Sequence, residues 1–205
     1  MRHIGIALAW LLLPLAALAD PVPEPRLPPP WRVRLGLGLQ QIDAKAYNDV
    51  AQLWGYDGFS VAQQVRFDAV APLSDRVRVG PRAAFAHADG GTVAKGTLAL
   101  SAWQIGGVVD VVAGQLPNAR RKDDHGLVSL EIGGGAARSA IDLRGAAVTA
   151  IVPVAWAAVR FGYVNRWGFS FWFGGQWQPW SSTGPEQNGV NLTGLDLGFA
   201  MEVLP

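Results

Sequence analysis

An all-β chain closing as an antiparallel, up-and-down transmembrane barrel is predicted by three observations. Apolar and polar side chains alternate along most of the sequence, the charges within each alternating segment share one parity, and Gly and Ala crowd that same parity. The composition agrees. Of 205 residues half are hydrophobic, only 16% are charged, 25 are Gly and 9 are Trp, and the mean hydropathy is +0.18. With no Cys, disulfides, thiolate metal sites and a Cys nucleophile are excluded. The low charge and high aromatic content exclude a disordered chain and disfavour a nucleic-acid partner, which would require a basic excess.

Arg2 and His3 precede an apolar run over 4–18, and Ala17-Leu18-Ala19 fits a small-x-small cleavage site. Segment 1–19 is therefore expected to be a secretory signal peptide, with the mature chain starting at Asp20. Loss of Arg2 takes one basic residue from 17 and leaves the mature chain balanced against 16 acids. Such a chain has no long-range steering toward a charged partner. Segment 20–30 is proline-rich and is expected to form an extended periplasmic lead-in. The folded domain is assigned to 31–205.

Strands are expected near 31–42, 59–71, 76–87, 95–114, 126–138, 142–162, 167–177 and 191–203. The first sets Trp31, Val33, Leu35, Leu37 and Leu39 against Arg32, Arg34, Gly36, Gly38 and Gln40. In the second, Val61, Val65 and Phe67 oppose Gln64, Arg66 and Asp68. The third opposes Val77, Val79, Pro81, Ala83 and Phe85 to Arg76, Arg78, Gly80, Arg82 and Ala84. The fifth places Val128, Leu130 and Ile132 opposite Ser129, Glu131 and Gly133. The seventh sets Trp167, Phe169, Phe171 and Phe173 against Gly168, Ser170, Trp172 and Gly174. The eighth sets Leu195, Leu197, Phe199, Met201 and Val203 against Asp196, Gly198, Ala200 and Glu202. The fourth and sixth are apolar on both parities. A helix over 146–159 is too short for a span of about 20 residues, and Arg144, Arg160 and Pro153 break it.

Eight strands put both termini on one side and make 43–58, 88–94, 139–141 and 178–190 the outer loops. The inner connections are 72–75, 115–125 and 163–166, of which 115–125 is long and charged for an inner turn. Turns at Gly106-Gly107 and at Pro153 would give ten strands instead. A soluble sandwich would turn the apolar faces inward. A membrane barrel turns them to lipid, keeps charge and small residues in the lumen, and gathers aromatics at the interfaces. Here Trp31, Phe59, Phe161, Tyr163, Trp167, Trp177 and Trp180 fall near strand ends as a candidate aromatic belt.

Over 31–205 this pattern resembles the small outer-membrane β-barrels of the OmpA/OmpX/OmpW kind. Asp196-Leu-Gly-Phe-Ala-Met-Glu-Val203 is similar to their C-terminal assembly signal, but the chain ends Val-Leu-Pro where the class closes on an aromatic residue. The resemblance implies the outer membrane of a Gram-negative bacterium and contact with its lipid and lipopolysaccharide. It further implies recognition of the last strand by the barrel-assembly machinery, with other envelope proteins as candidate partners.

An eight-stranded lumen is just wide enough to be filled by side chains. Arg32, Arg34, Arg66, Arg76, Arg78, Arg82 and Arg160 are expected to face Asp68, Asp110, Glu131, Asp196 and Glu202 there as a structural ion-pair network. The alternative is a narrow anion path, because Arg exceeds acid. A lipid-A-modifying acyl-ester enzyme would need His, Ser and an acid in reach. The mature chain offers only His87 and His125, with Ser129 and Ser74-Asp75 as the nearest serines, in neither case at the spacing such an enzyme needs. No catalytic residue, metal or cofactor is assigned. The 120–124 charge run is expected to be a solvated turn, and Gly133-Gly134-Gly135 lacks the following helix of a phosphate loop.

Overall fold

The structure is a computed structural model that describes residues 31–94, 96–117, 125–164, 167–179 and 193–203. The expected signal peptide, the proline-rich segment and the 120–124 charge run lie outside the described residues. Eight strands follow one another around a closed barrel: β1 (Arg32–Gln41), β2 (Val61–Pro72), β3 (Val77–Val93), β4 (Gly96–Pro117), β5 (His125–Leu143), β6 (Ala146–Val164), β7 (Trp167–Trp177) and β8 (Gly194–Val203). Each pairs antiparallel with the next. β8 returns to β1, with Val33 opposite Val203 and Gln40 opposite Asp196. One helix, α1 (Lys45–Leu53), lies between β1 and β2. The end where β1 starts and β8 finishes is called basal below, and the end nearer α1 distal.

The two faces are those the alternation predicts. Leu35, Leu37, Leu39, Val65, Phe67, Ile105, Phe169, Phe171, Phe173, Leu197 and Phe199 point outward and are exposed, as a belt running around the wall. Their neighbours on the other parity point inward and are buried. These large apolar side chains thus ring the outside of the barrel, as a lipid-facing wall requires.

The strand count of eight stands, but several boundaries move. β3 and β4 continue to Val93 and from Gly96, so the 88–94 loop contracts to residues 94–95. A bulge between Asp89 and Thr92, with Gly91 at φ 101°, lets the ladder continue past the turn-like Asp89-Gly90-Gly91 sequence. Likewise β5 and β6 are joined at Arg144-Gly145, not at 139–141. With φ of 58° and 83°, these two residues make the two-residue hairpin turn that matches strand twist. Gly106 and Gly107 are mid-strand, paired to Gly135 and Gly134. Pro153 is mid-strand as well, beyond the last β6–β7 pair at Ala155 and Trp177, on an edge where its missing N–H costs no ladder bond. At the basal end the β4–β5 ladder runs on to Pro117 opposite His125, which shortens the expected 115–125 connection to 118–124. Residues 43–58, expected as a plain loop, contain α1.

Candidate functional site

The interior is layered along the barrel axis. Distally, Ile42, Ala44, Ala51, Tyr56 and Phe59 from the β1–β2 connection pack onto Ala62, Ala86, Ala88, Leu98, Leu100, Ala102 and Ile141 from the wall. Asn48 fixes α1 to the chain that follows it. Its Nδ2 donates to the Phe59 carbonyl at 2.6 Å, and its Oδ1 accepts from the Phe59 N–H at 2.7 Å. The backbone N–H groups of Asp57 and Gly58 both donate to the Gly90 carbonyl, tying the same connection to β3.

Phe59 requires a correction. It is 1% exposed and stacks on Tyr47 at 5.9 Å, so it belongs to this apolar layer and not to an outer belt. The alternation that would have turned it outward starts only at Val61, where β2 begins. Trp31, Phe161, Tyr163 and Trp177 are exposed on the outer face. Trp167 opens β7, and Trp180 lies outside the described residues.

Below the apolar layer lies a belt of amides. Gln178 Oε1 accepts from Gln104 at 3.1 Å and from Gln176 at 3.0 Å, while its Nε2 donates to Ser139 Oγ at 2.7 Å. Further toward the basal end are the charges. Glu131 is the hub: Arg160 and Arg82 each approach its oxygens at 2.6 Å, Arg66 at 3.4 Å and Arg34 at 3.9 Å. Arg82 also grips Asp68 with two donors, Nε at 2.6 Å and Nη2 at 2.9 Å. Arg66 donates to Asp196 and Arg34 to Asp110, and Arg32 reaches Glu202 at 3.1 Å. Each of these groups is at most 4% exposed. Charges so far from water persist only when paired, and this mutual pairing is what makes the interior tolerable.

Two indoles complete the layer. Trp172 carries Arg66 over its ring at 4.4 Å and donates its Nε1 to Asp196 at 3.0 Å; Trp156 carries Arg82 at 4.8 Å. Both need glycine beside them. A Cβ at Gly38 or Gly198 would stand 2.7 or 2.4 Å from Trp172, and one at Gly133 2.5 Å from Trp156. Glycine on the inward parity is therefore the space these rings occupy.

Of the residues expected in the lumen, Arg32, Arg34, Arg66, Asp68, Arg78, Arg82, Asp110, Glu131, Arg160, Asp196 and Glu202 are buried together. Arg76 is the exception. β3 starts at Val77, so Arg76 falls in the preceding turn and is exposed, its N–H directed at Ser74 Oγ. Sequence reasoning missed the amide belt and the partnership of the two Trp with Arg. Gln64 and Trp172 sit on the charged parity, and that was the available signal.

The residues weighed for catalysis do not meet. His87 is exposed on the outer wall, stacked on Phe85 at 6.4 Å. Ser129 is buried in the lumen, four strand positions and roughly 13 Å of strand rise from His125. Among the described residues no three metal-ligating side chains cluster.

In a search of solved structures, the crystal structure of Neisserial surface protein A superposes with a TM-score of 0.54 at 9% identity, covering 85% of this chain and 97% of that one. The fold is that of the small outer-membrane β-barrels. Ail, the attachment invasion locus protein of Yersinia pestis, solved with the heparin analogue sucrose octasulfate, is a more distant match. Its TM-score is 0.46 at 8% identity, over 86% of this chain and 99% of that one. No family model matches the barrel's sequence, and no curated protein does. At such identities only the architecture is shared, so the barrel's own interior must carry any statement about its role.

Proposed function

We propose that the protein is an integral outer-membrane barrel whose lumen is closed and whose role is structural, surface-exposed or accessory to a larger envelope assembly. The observation that supports this reading is the meeting of inward side chains at three levels of the interior, apolar distally, amide next and ion-paired below. Pores need wider barrels than eight strands provide. The shortest strands, β1 and β8, have 10 residues each, the length that crosses a bilayer at a steep tilt. The basal end then faces the periplasm, and α1 with the β3–β4 and β5–β6 hairpins faces outward. Export with cleavage of 1–19 fits this placement.

Lipid and lipopolysaccharide are the immediate partners of the apolar wall. Arg138 is exposed near the distal margin of that wall, opposite Trp103 and Ile151 across its two ladders, and offers a cation at headgroup depth. β8 is the segment the assembly machinery would engage. A lipid-A-modifying enzyme is the weaker reading, given the separation of His87 and Ser129 between the outer wall and the lumen.

Reconstitution into a planar bilayer tests the closed lumen. Electrical silence is expected, and a steady single-channel current would overturn it. Purification that succeeds only with detergent, with heat-modifiable gel mobility, is expected of the barrel placement; a soluble protein lacking that mobility shift would refute it. Lipid A analysed by mass spectrometry is expected to be unchanged by expression, and a new acyl pattern would favour the enzyme.

A further inference from the structure

Among the described residues the lumen buries six guanidiniums and five carboxylates: Arg32, Arg34, Arg66, Arg78, Arg82 and Arg160 against Asp68, Asp110, Glu131, Asp196 and Glu202. Five of the six cations have a carboxylate oxygen within 3.4 Å. Arg78 does not. Its closest acid is Asp110 Oδ2 at 3.8 Å, the same oxygen that Arg34 takes as its own acceptor. Arg78 is 2% exposed, and its Nη1 has no hydrogen-bond partner.

The surplus has a definite place. Arg78 is the second residue of β3, directly after the 73–76 turn, and Arg32 opens β1 at the same basal end. Arg32 has an unpartnered Nε of its own and takes Glu202 at 3.1 Å, while Arg34 bridges Glu202 at 3.3 Å and the Asp110 oxygen nearest Arg78. Three guanidiniums therefore share Asp110 and Glu202. A buried cation without its own counter-charge is costly, and guanidinium N–H groups favour anions that accept more than one hydrogen bond. Among the described residues the protein supplies no sixth carboxylate there.

We propose that Arg78, with Arg32 beside it, forms a binding site for one small inorganic anion, of the size range from chloride to phosphate, entering from the basal end. The site rests on the closed-lumen reading above, because in an open pore the anion would be a passing ion and not a resident one. Bound there, it supplies the missing negative charge and satisfies the idle donors of both arginines.

The test is the melting temperature of the full barrel in neutral detergent, at fixed ionic strength, in gluconate, chloride or phosphate. Chloride or phosphate is expected to raise the midpoint over gluconate by on the order of 5 °C, and Arg78→Met and Arg78→Gln are each expected to abolish that difference. Both variants are expected to melt no lower than the native barrel in gluconate, since they remove an uncompensated charge. Broadening of the chloride-35 resonance by the native protein, absent with either variant, would report occupancy directly. The proposal fails if the native barrel shows no anion-specific rise, or if the variants keep it. It fails too if only phosphatidylglycerol vesicles, compared with phosphatidylcholine at low salt, stabilise the protein, since the anion would then be a lipid headgroup. A current across a planar bilayer would retract the closed lumen; a silent bilayer without the Arg78-dependent rise would retract only this site.

Discussion

Glu131 shows how much one residue can hold. Four arginines approach its two oxygens, from β1, β2, β3 and β6, so it joins strands on several sides of the lumen. Replacing it by Gln keeps the shape and removes the charge. Because breaking a buried pair leaves uncompensated cations, Glu131→Gln is expected to cost about 3–5 kcal/mol. The check is the urea midpoint of the folded, fast-migrating form on semi-native gels, and a midpoint equal to the native one would refute the hub. Glycine at the indole contacts is equally specific. A Cβ at Gly198 would lie 2.4 Å from both Trp172 and the Leu37 carbonyl, so Gly198→Val must displace a ring or a strand. Its cost is expected at or above the ~1–3 kcal/mol usual for overpacking. Gly175→Ala serves as control, since its nearest contact would be 3.6 Å away and leaves it near neutral. At this scale parity made the charges legible. It left open which acid each arginine takes, because that depends on which strands face one another across the lumen.

Among the elements, α1 is what the sequence least announced. Its nine residues show no side-chain N-cap, and the flanking Asp43 and Gly55 resemble an ordinary loop. Tertiary contacts make the helix: Ala51, and Tyr47 in part, pack onto the distal apolar layer, and Asn48 bonds twice to Phe59. Helices this short have little stability of their own. Asn48→Ala is therefore expected to speed amide hydrogen exchange across 45–59 while the melting midpoint of the barrel stays in place. Slow exchange in the variant would mean that apolar packing alone holds the cap. The hairpin ends were misjudged for a related reason. Asp89-Gly90-Gly91 and Ser139-Ala140-Ile141 fall within expected connections, yet pairing to the neighbouring strand continues past both, and β5 turns into β6 only at Arg144 and Gly145. Local composition marks where a chain can turn; the ladder decides where it does.

At the scale of the whole molecule, the apolar belt and the filled lumen are two results of one alternation. A charge is tolerated on the inner parity and penalised on the outer one, so exchanging the faces should be sharply asymmetric. Leu37→Arg, in the middle of β1, is expected to destabilise the barrel in lipid by ~2–4 kcal/mol, and Trp31→Arg, just before the strand, by much less. Equal costs measured by unfolding from vesicles would contradict a bilayer centred on that belt. The fold was legible because period-two patterning survives in six of the eight strands. β4 and β6 hid it: their inward positions are largely apolar or small, as at Ala102, Val108, Val152, Val154 and Ala158, so both of their faces looked alike.

The seam between β1 and β8 has one more consequence. Neighbouring strands elsewhere follow one another directly in sequence, some across only two residues, whereas Arg32 and Glu202 meet across 170 positions of sequence. Contacts that distant form late, because the intervening chain must first be ordered. The hairpins of β3–β4 and β5–β6 can zip from their turns as soon as they are made, but the basal ion pair exists only once the ring is complete. The Arg32–Glu202 bond is therefore a clasp on a finished cylinder: it contributes nothing to the pace of insertion, and removing it would show as faster opening of the assembled barrel.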